Sequence, residues 1–235
     1  MYLKQINTSS LTGDDVKRRG LTPLNVKNLK QKIKEDILVL DTRSAADFSI
    51  GFIPGSLFIG LEDRFAEWAG SILQFNKRIA LVTETGKEEE TIVRLAKIGF
   101  SNVEGYLEGG FESWKKAGES IDMIIDVEAY ELAMDIPFDD NLVIVDVRKE
   151  NEFAEGHVKD AINLPLNEMT DVAQIAQFEE NQNIYIHCES GYRSLIATSI
   201  LKKEGYHNIR NILGGWGKIK EQKNIKIEKE ASVLN

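Results

Sequence analysis

Asn183-Ile184-Tyr185-Ile186-His187-Cys188-Glu189-Ser190-Gly191-Tyr192-Arg193-Ser194 carries the chain from an apolar run into a glycine turn. The run is short enough for a buried strand. The turn opens onto Leu195-Ile196-Ala197-Thr198-Ser199-Ile200-Leu201, which reads as a helix. This order puts Cys188 at a strand's carboxyl end, facing a helix start. Backbone N–H groups and the helix dipole favour an anion there. A thiolate, the nucleophilic form of cysteine, is such an anion. Arg193 adds a positive charge five residues on, and Cys188 is the single cysteine of 235 residues. A lone cysteine is most often a small buried hydrophobe. Here strand end, glycine, arginine and helix start converge on it, and Cys188 reads as a nucleophile.

Outward from this stretch, the chain repeats itself. Ile37-Leu38-Val39-Leu40-Asp41-Thr42-Arg43 returns as Leu142-Val143-Ile144-Val145-Asp146-Val147-Arg148, with Asp41 and Asp146 offset by 105 residues. The same offset carries Phe48 onto Phe153, Gly51 onto Gly156, and Gly109-Gly110 onto Gly214-Gly215. A domain-sized period means two copies of one domain rather than a solenoid. The expected layout is a linker or N-terminal extension over 1–20, a first copy over 21–120, a second over 124–222 and a charged tail over 223–235. In each copy a helix (Pro23 to Lys34; Asp126 to Met134) precedes an apolar strand ending in Asp-x-Arg. Apolar strands alternating with helices predict an α/β fold, a parallel sheet flanked by helices in each copy. Reactive groups of such sheets gather at the carboxyl ends of the strands, where Asp146 and Cys188 both fall.

Composition narrows the function classes. The chain is 42% hydrophobic and 29% charged, ordinary for a soluble globular protein, and long enough for two cores. A net charge of −9 argues against general nucleic-acid binding. One cysteine rules out an internal disulfide framework and leaves a free thiol, which fits a reducing cytosol. Met1 to Asn7 has no apolar signal region, and no run approaches the ~18–20 apolar residues of a membrane span. A cytoplasmic protein with neither membrane nor nucleic-acid partner is expected. Gly86-Lys87 is not a phosphate loop, because Leu81 and Glu88 stand where glycine and Ser/Thr are required.

Several pieces of the second copy together resemble the rhodanese family of sulfurtransferases. They are Asp146-Val147-Arg148, Phe153-Ala154-Glu155-Gly156-His157-Val158, Ala161-Ile162-Asn163-Leu164-Pro165, the Cys188–Ser194 turn and Leu213-Gly214-Gly215-Trp216. They come in the family's order and span nearly the whole copy. The first copy looks like the same domain, but Thr83 stands at the cysteine position, in the acidic turn Thr83-Glu84-Thr85-Gly86-Lys87-Glu88-Glu89. It cannot form a cysteine persulfide and would repel an anionic donor, so it reads as catalytically silent. Phe65-Ala66-Glu67-Trp68-Ala69-Gly70 and that turn are similar to the silent copy in bacterial proteins where two rhodanese domains follow a metallo-β-lactamase-fold persulfide dioxygenase. The resemblance therefore admits such a dioxygenase as an attached domain or a partner.

The resemblance implies sulfur transfer through a Cys188 persulfide. The sulfur would come from thiosulfate or a low-molecular-weight persulfide and pass to a thiol or cyanide, with no metal and no cofactor. The N–H groups from Glu189 to Ser194 would cradle the outer sulfur, Gly191 would permit the bend, and Arg193 would hold an anionic donor. Asp146 and Arg148 recur as Asp41 and Arg43 in the silent copy, so they read as a supporting ion pair. His157 aligns with Phe52 and reads as a loop histidine, His187 as packing, and His207 as surface. Trp68, Trp114 and Trp216 read as anchors near glycine turns. Two rival readings stand beside the enzyme. One is a non-enzymatic sulfur carrier or docking module; the other is a cysteine phosphatase, whose cradle has five residues between Cys and Arg where this turn has Glu189-Ser190-Gly191-Tyr192.

Overall fold

The two Asp-x-Arg runs become strands of two separate sheets. The structure, a computed structural model, describes residues 13–62 and 64–230. The first sheet holds β1 (Pro23–Leu24), β2 (Leu38–Asp41), β3 (Leu57–Phe58), β4 (Ile79–Val82) and β5 (Val103–Leu107), in the order β1-β5-β4-β2-β3. The second copy supplies β6 (Ile125–Val127), β7 (Leu142–Asp146), β8 (His157–Val158), β9 (Ile162–Asn163), β10 (Asn183–His187), β11 (Ile209–Ile212) and β12 (Ile227–Glu228). Five of these form the order β6-β11-β10-β7-β9, while β12 and β8 make an antiparallel pair. β10 runs parallel to β7 and β11, and its residues Ile184 to His187 are all buried. That is the burial of a parallel sheet covered on both faces. The α/β architecture expected from the strand–helix alternation is what forms.

Boundaries differ from expectation at the starts of both copies. The helices begin later, at Val26–Lys34 and Ala129–Asp135, because the residues before them pair as outer strands against β5 and β11. Pro23 is tolerated in β1 because that strand is an edge of its sheet. Asn25 then caps the first helix by accepting the Asn28 N–H at 2.9 Å. Glu131 starts the second by accepting the Glu128 N–H at 2.7 Å.

The N-terminal extension expected over 1–20 contains a helix, Gly13–Gly20, that buries Val16, with Arg19 Nε donating to the Val103 carbonyl at 3.3 Å. Residues 13–20 therefore belong to the first unit rather than to a linker; residues 1–12 lie outside the described residues. In the charged tail, Ile227–Glu228 pairs with β8, and residues 231–235 lie outside the described residues.

The described residues form two compact units. One runs up to Thr42 and resumes over Leu61–Glu119; the other combines Arg43–Gly60 with the chain from Ser120 onward. Residues 43–60, part of the first copy by sequence, belong to the second unit. Within it, the helix Ala45–Ile50 and β3 contact the helix Tyr192–Lys203 that leaves the cysteine turn. The Phe58 N–H donates to Ser199 Oγ at 3.0 Å, and the Phe58 ring meets Tyr192 edge-on at 5.8 Å. The Tyr192 hydroxyl donates to the Gly60 carbonyl at 3.3 Å. Farther along, the Lys202 ammonium sits 2.9 and 3.1 Å from the two carboxylate oxygens of Asp122. Covered this way, every residue from Ser194 to Lys202 is buried, as a helix without a continuous polar face requires. Its polar side chains are satisfied inside: Thr198 Oγ1 donates to the Ser194 carbonyl at 2.8 Å and Ser199 Oγ to the Ile196 carbonyl at 2.6 Å.

Ser199→Ala should strand the buried Phe58 N–H and cost about 1–3 kcal/mol of unfolding free energy. Urea titration measures this. A loss below a few tenths of a kcal/mol would show that water or another acceptor readily replaces the hydroxyl.

Candidate active site

Cys188 follows directly on β10 and precedes the helix Tyr192–Lys203. Its side chain is fully buried, and Sγ accepts the Gly191 N–H at 3.1 Å. Gly191 adopts φ +107°, a left-handed conformation that L side chains rarely enter; this bend aims its N–H back at the sulfur. Ser194 ties down the far side of the turn, with Oγ 2.9 Å from the Gly191 carbonyl and 2.7 Å from Asn211 Oδ1 on β11. Asn211 Nδ2 in turn donates to Asp126 Oδ1 at 2.8 Å. The near side is held through the Cys188 carbonyl, which accepts the Trp216 N–H at 2.7 Å. Gly215 (φ +51°) lies so close that a Cβ there would meet the Cys188 carbonyl oxygen at 2.3 Å. The helix start and the Gly191 N–H both point partial positive charge at the sulfur.

Beneath the turn is a buried guanidinium. Arg148 Nε donates to both Asp146 oxygens at 3.0 Å, and Nη2 donates to Asp146 Oδ2 at 2.6 Å and to the Gly156 carbonyl at 2.7 Å. Its charged carbon lies 4.5 Å from the centre of the Trp216 ring, a cation–π contact. Nη1 reaches Glu189 Oε2, the residue after the cysteine, at 3.5 Å. Asn163 Nδ2 bridges the Asp146 and Arg148 carbonyls at 3.0 and 2.9 Å.

The first copy, with Thr83 at the cysteine position, shows that this frame does not depend on the thiol. Arg43 Nη2 donates to the Gly51 carbonyl at 2.8 Å, the counterpart of Arg148 on Gly156. Phe48 stacks on Phe52 with centroids 4.1 Å apart, and Phe153 stacks on His157 at 3.7 Å. His157 thus replaces one ring of a stacked pair; its Nδ1 lies 2.9 Å from the Phe153 carbonyl. Where Cys188 would fall, Thr83 Oγ1 faces Thr91 Oγ1 at 3.5 Å. The following helix, Glu88–Lys97, opens on Glu88, Glu89 and Glu90.

Arg193 is paired with a carboxylate. Its Nη1 and Nη2 each lie 2.7 Å from an oxygen of Glu152, a bidentate pair with the Arg193 side chain 17% exposed. It is not a surface arginine waiting for a donor, because a carboxylate already occupies its fork. Hydrogen bonding to Arg193, opposed by partial burial, holds the Glu152 carboxyl down to about 2, and the Arg193 guanidinium is pushed up in return. Of the cradle residues, Gly191 turns its N–H onto Sγ, Ser194 anchors the bend, Tyr192 reaches Gly60, Glu189 meets Arg148, and Ser190 is exposed beside Glu189.

Glu152 escaped the sequence reading. Its one signal was Asp47, the acidic residue 105 positions earlier, which in the silent copy serves a local helix cap with Ser44. His187 is buried as expected, with Nδ1 3.2 Å from the Cys188 carbonyl and Nε2 3.7 Å from Asp146 Oδ2. Burial keeps its imidazole below the usual histidine range despite the pull of Asp146. Among the described residues, no group of three or more His, Cys, Asp or Glu side chains is arranged to hold a metal ion. Nor is any helix there long and apolar enough to cross a membrane.

Comparison with known proteins finds a match to the family described as "Rhodanese-like domain" twice, over residues 25–117 and 128–222. The "Putative thiosulfate sulfurtransferase, mitochondrial" of Schizosaccharomyces pombe is 32% identical over 105 residues, covering 40% of this chain and 74% of that protein. A "Sulfurtransferase" of Allochromatium vinosum is 27% identical over 93 residues, covering 40% of this chain and 85% of its own length. The "Putative sulfur carrier protein YrkF" of Bacillus subtilis is 35% identical over 91 residues, 39% of this chain but 47% of that protein.

Because folding keeps His187 neutral while the unfolded chain takes up a proton below about pH 6.5, acid should erode stability through this residue. The contribution is intact above that range and is lost as pH falls toward the depressed folded value. Denaturant titrations near about pH 7.5 and about pH 5.5 should show a smaller acid loss for His187→Gln than for the wild-type chain. Equal losses would place the acid sensitivity elsewhere.

Proposed function

Because the chain belongs to the rhodanese-like domain family through both of its repeats, we propose that it is a sulfurtransferase working through a Cys188 persulfide. The observation that carries this is the Cys188 sulfur itself: fully buried at a strand end, before a helix start, with the Gly191 N–H on Sγ at 3.1 Å. In the first half-reaction the thiolate attacks the sulfane sulfur of thiosulfate or a low-molecular-weight persulfide. A bond forms from Cys188 Sγ to that sulfur, the donor's S–S bond breaks, and sulfite or a thiolate leaves. In the second, an acceptor thiol or cyanide attacks the outer sulfur and returns Cys188 to the thiolate. One transfer is split into two easier ones. Gly191 stabilises anionic sulfur, while the Arg148–Asp146 pair and the Trp216 N–H keep the turn from sagging. Burial shields the persulfide from water and oxidants between steps.

A carrier reading, favoured by the printed name of the Bacillus subtilis relative, uses the same persulfide and differs only in releasing it to a protein acceptor. The phosphatase reading is disfavoured, because Arg193 is engaged by Glu152 and the turn is one residue shorter than a phosphate cradle. The single free thiol suits a reducing compartment such as the cytosol. A metallo-β-lactamase-fold persulfide dioxygenase, attached or separate, is the partner whose substrate chemistry matches.

After incubation with thiosulfate or glutathione persulfide, the Cys188 peptide should gain about 32 Da, one sulfur, by mass spectrometry. Cys188→Ser should gain nothing. Absence of the adduct with several donors, or its survival in Cys188→Ser, would end the sulfurtransferase reading.

A further inference from the structure

The cations around Cys188 are already spoken for. Arg193 spends Nη1 and Nη2 on Glu152, at 2.7 Å each. Glu152 is itself fixed, because its Oε2 also accepts the Lys149 N–H at 3.1 Å at the start of the helix Glu150–Glu155. Arg148 is held by Asp146 at 2.6 Å, with Glu189 at 3.5 Å on its other side. Two guanidinium groups thus face three carboxylates, before the charge of a thiolate is added. Such a site offers no surplus positive charge to an incoming anion.

Resting on the sulfurtransferase reading, we infer that Glu152 is a specificity-determining residue that masks Arg193 and turns the site away from compact dianionic donors toward alkyl persulfides. Thiosulfate brings two negative charges to within one bond of the reacting sulfur. An alkyl persulfide, RSSH, brings at most one there, and its remaining charges lie on a distant body. With the persulfide, the Cys188 thiolate attacks the outer sulfur, the new Cys188 S–S bond forms and the R–S to S bond breaks. RS− leaves, and the proton stays on the Cys188 persulfide. With thiosulfate, the same attack must bring three negative charges together beside Glu152 and Glu189. Glu152 stays ionised through the whole working pH range, since its partner holds it down to about 2. The bias is therefore built in rather than switched by pH.

The test compares kcat/KM for thiosulfate and for glutathione persulfide in the full chain. Glu152→Gln keeps an oxygen for Arg193 and for the Lys149 N–H but removes the charge. The thiosulfate-to-persulfide ratio should rise about three- to tenfold, the scale of one partly screened charge at short range. An unchanged or lower ratio in a folded variant overturns the inference. A measurement on the wild-type chain decides the matter even if the variant misfolds: thiosulfate kcat/KM should hold or rise as NaCl is increased, because no unpaired cation is being screened. A steep fall with salt would show a free positive site and overturn the masking. If no donor loads Cys188 in the wild-type chain, the sulfurtransferase reading fails, and this inference falls with it.

Discussion

A buried guanidinium organises the cysteine-bearing copy. Arg148 is 2% exposed and Asp146 has no exposure, so taking both charges out of water is costly, and their attraction alone does not secure a net gain. The cost is offset because every direction of the guanidinium finds a partner: the Asp146 carboxylate, the Gly156 carbonyl, the Trp216 ring and the edge of Glu189. Those partners come from a strand end, a helix end, the short helix Gly215–Ile219 and the cysteine turn. Removing one member of such a pair typically costs about 3–5 kcal/mol, because the other is left charged and unpaired. The geometry around Cys188 is therefore tied to an interaction that cannot be loosened gradually.

The first copy, which has no thiol, separates what this frame does from what the thiol adds. Arg43 repeats the bond to a helix-ending glycine carbonyl, and Phe48 and Phe52 repeat the stacked pair that Phe153 and His157 make in the active copy. Both copies also keep a Gly-Gly pair with positive φ, and in each a Cβ on the second glycine would point at the carbonyl of the Thr83 or Cys188 position. The frame is thus common to both copies, and one of them carries a thiol at the end of its central strand. The first copy differs in carrying Thr83 in place of the sulfur and Glu88, Glu89 and Glu90 in the first turn of the following helix, where the second copy has Tyr192, Arg193 and Ser194.

The helix that leaves the cysteine turn shows how the turn is supported from behind. Its run from Ser194 to Lys202 is buried on all sides, one side of it covered by residues 43–60 through Phe58 and Ser199. Tyr192, within the turn, reaches that same segment through the Gly60 carbonyl. Residues that are far apart in sequence thus brace the first turn of the helix whose N-terminus faces the thiol. The charge pairs around that thiol likewise join residues 41 positions apart, Glu152 with Arg193 and Glu189 with Arg148.

Much was legible in the sequence because it depends on local order. Apolar runs of strand length, glycines at the bends and a fixed offset between copies determined two parallel α/β sheets and placed Cys188 at a strand end before a helix. The stacking of His157 was foreshadowed by its alignment with Phe52, since equivalent positions of a repeated fold meet equivalent surroundings. Other features were decided only by tertiary structure. That Pro23-Leu24 and Ile125–Val127 are strands follows from the open edges of β5 and β11, which no local pattern records. That Arg193 is engaged by Glu152 follows from a helix end brought beside the turn across 41 positions of sequence. That residues 43–60 join the second unit follows from the apolar and hydrogen-bonding surface of a helix 141 positions away. Propensity and periodicity act over a few residues, whereas charge pairing and burial act between whatever the fold brings within a few ångströms, and sequence order does not encode that proximity.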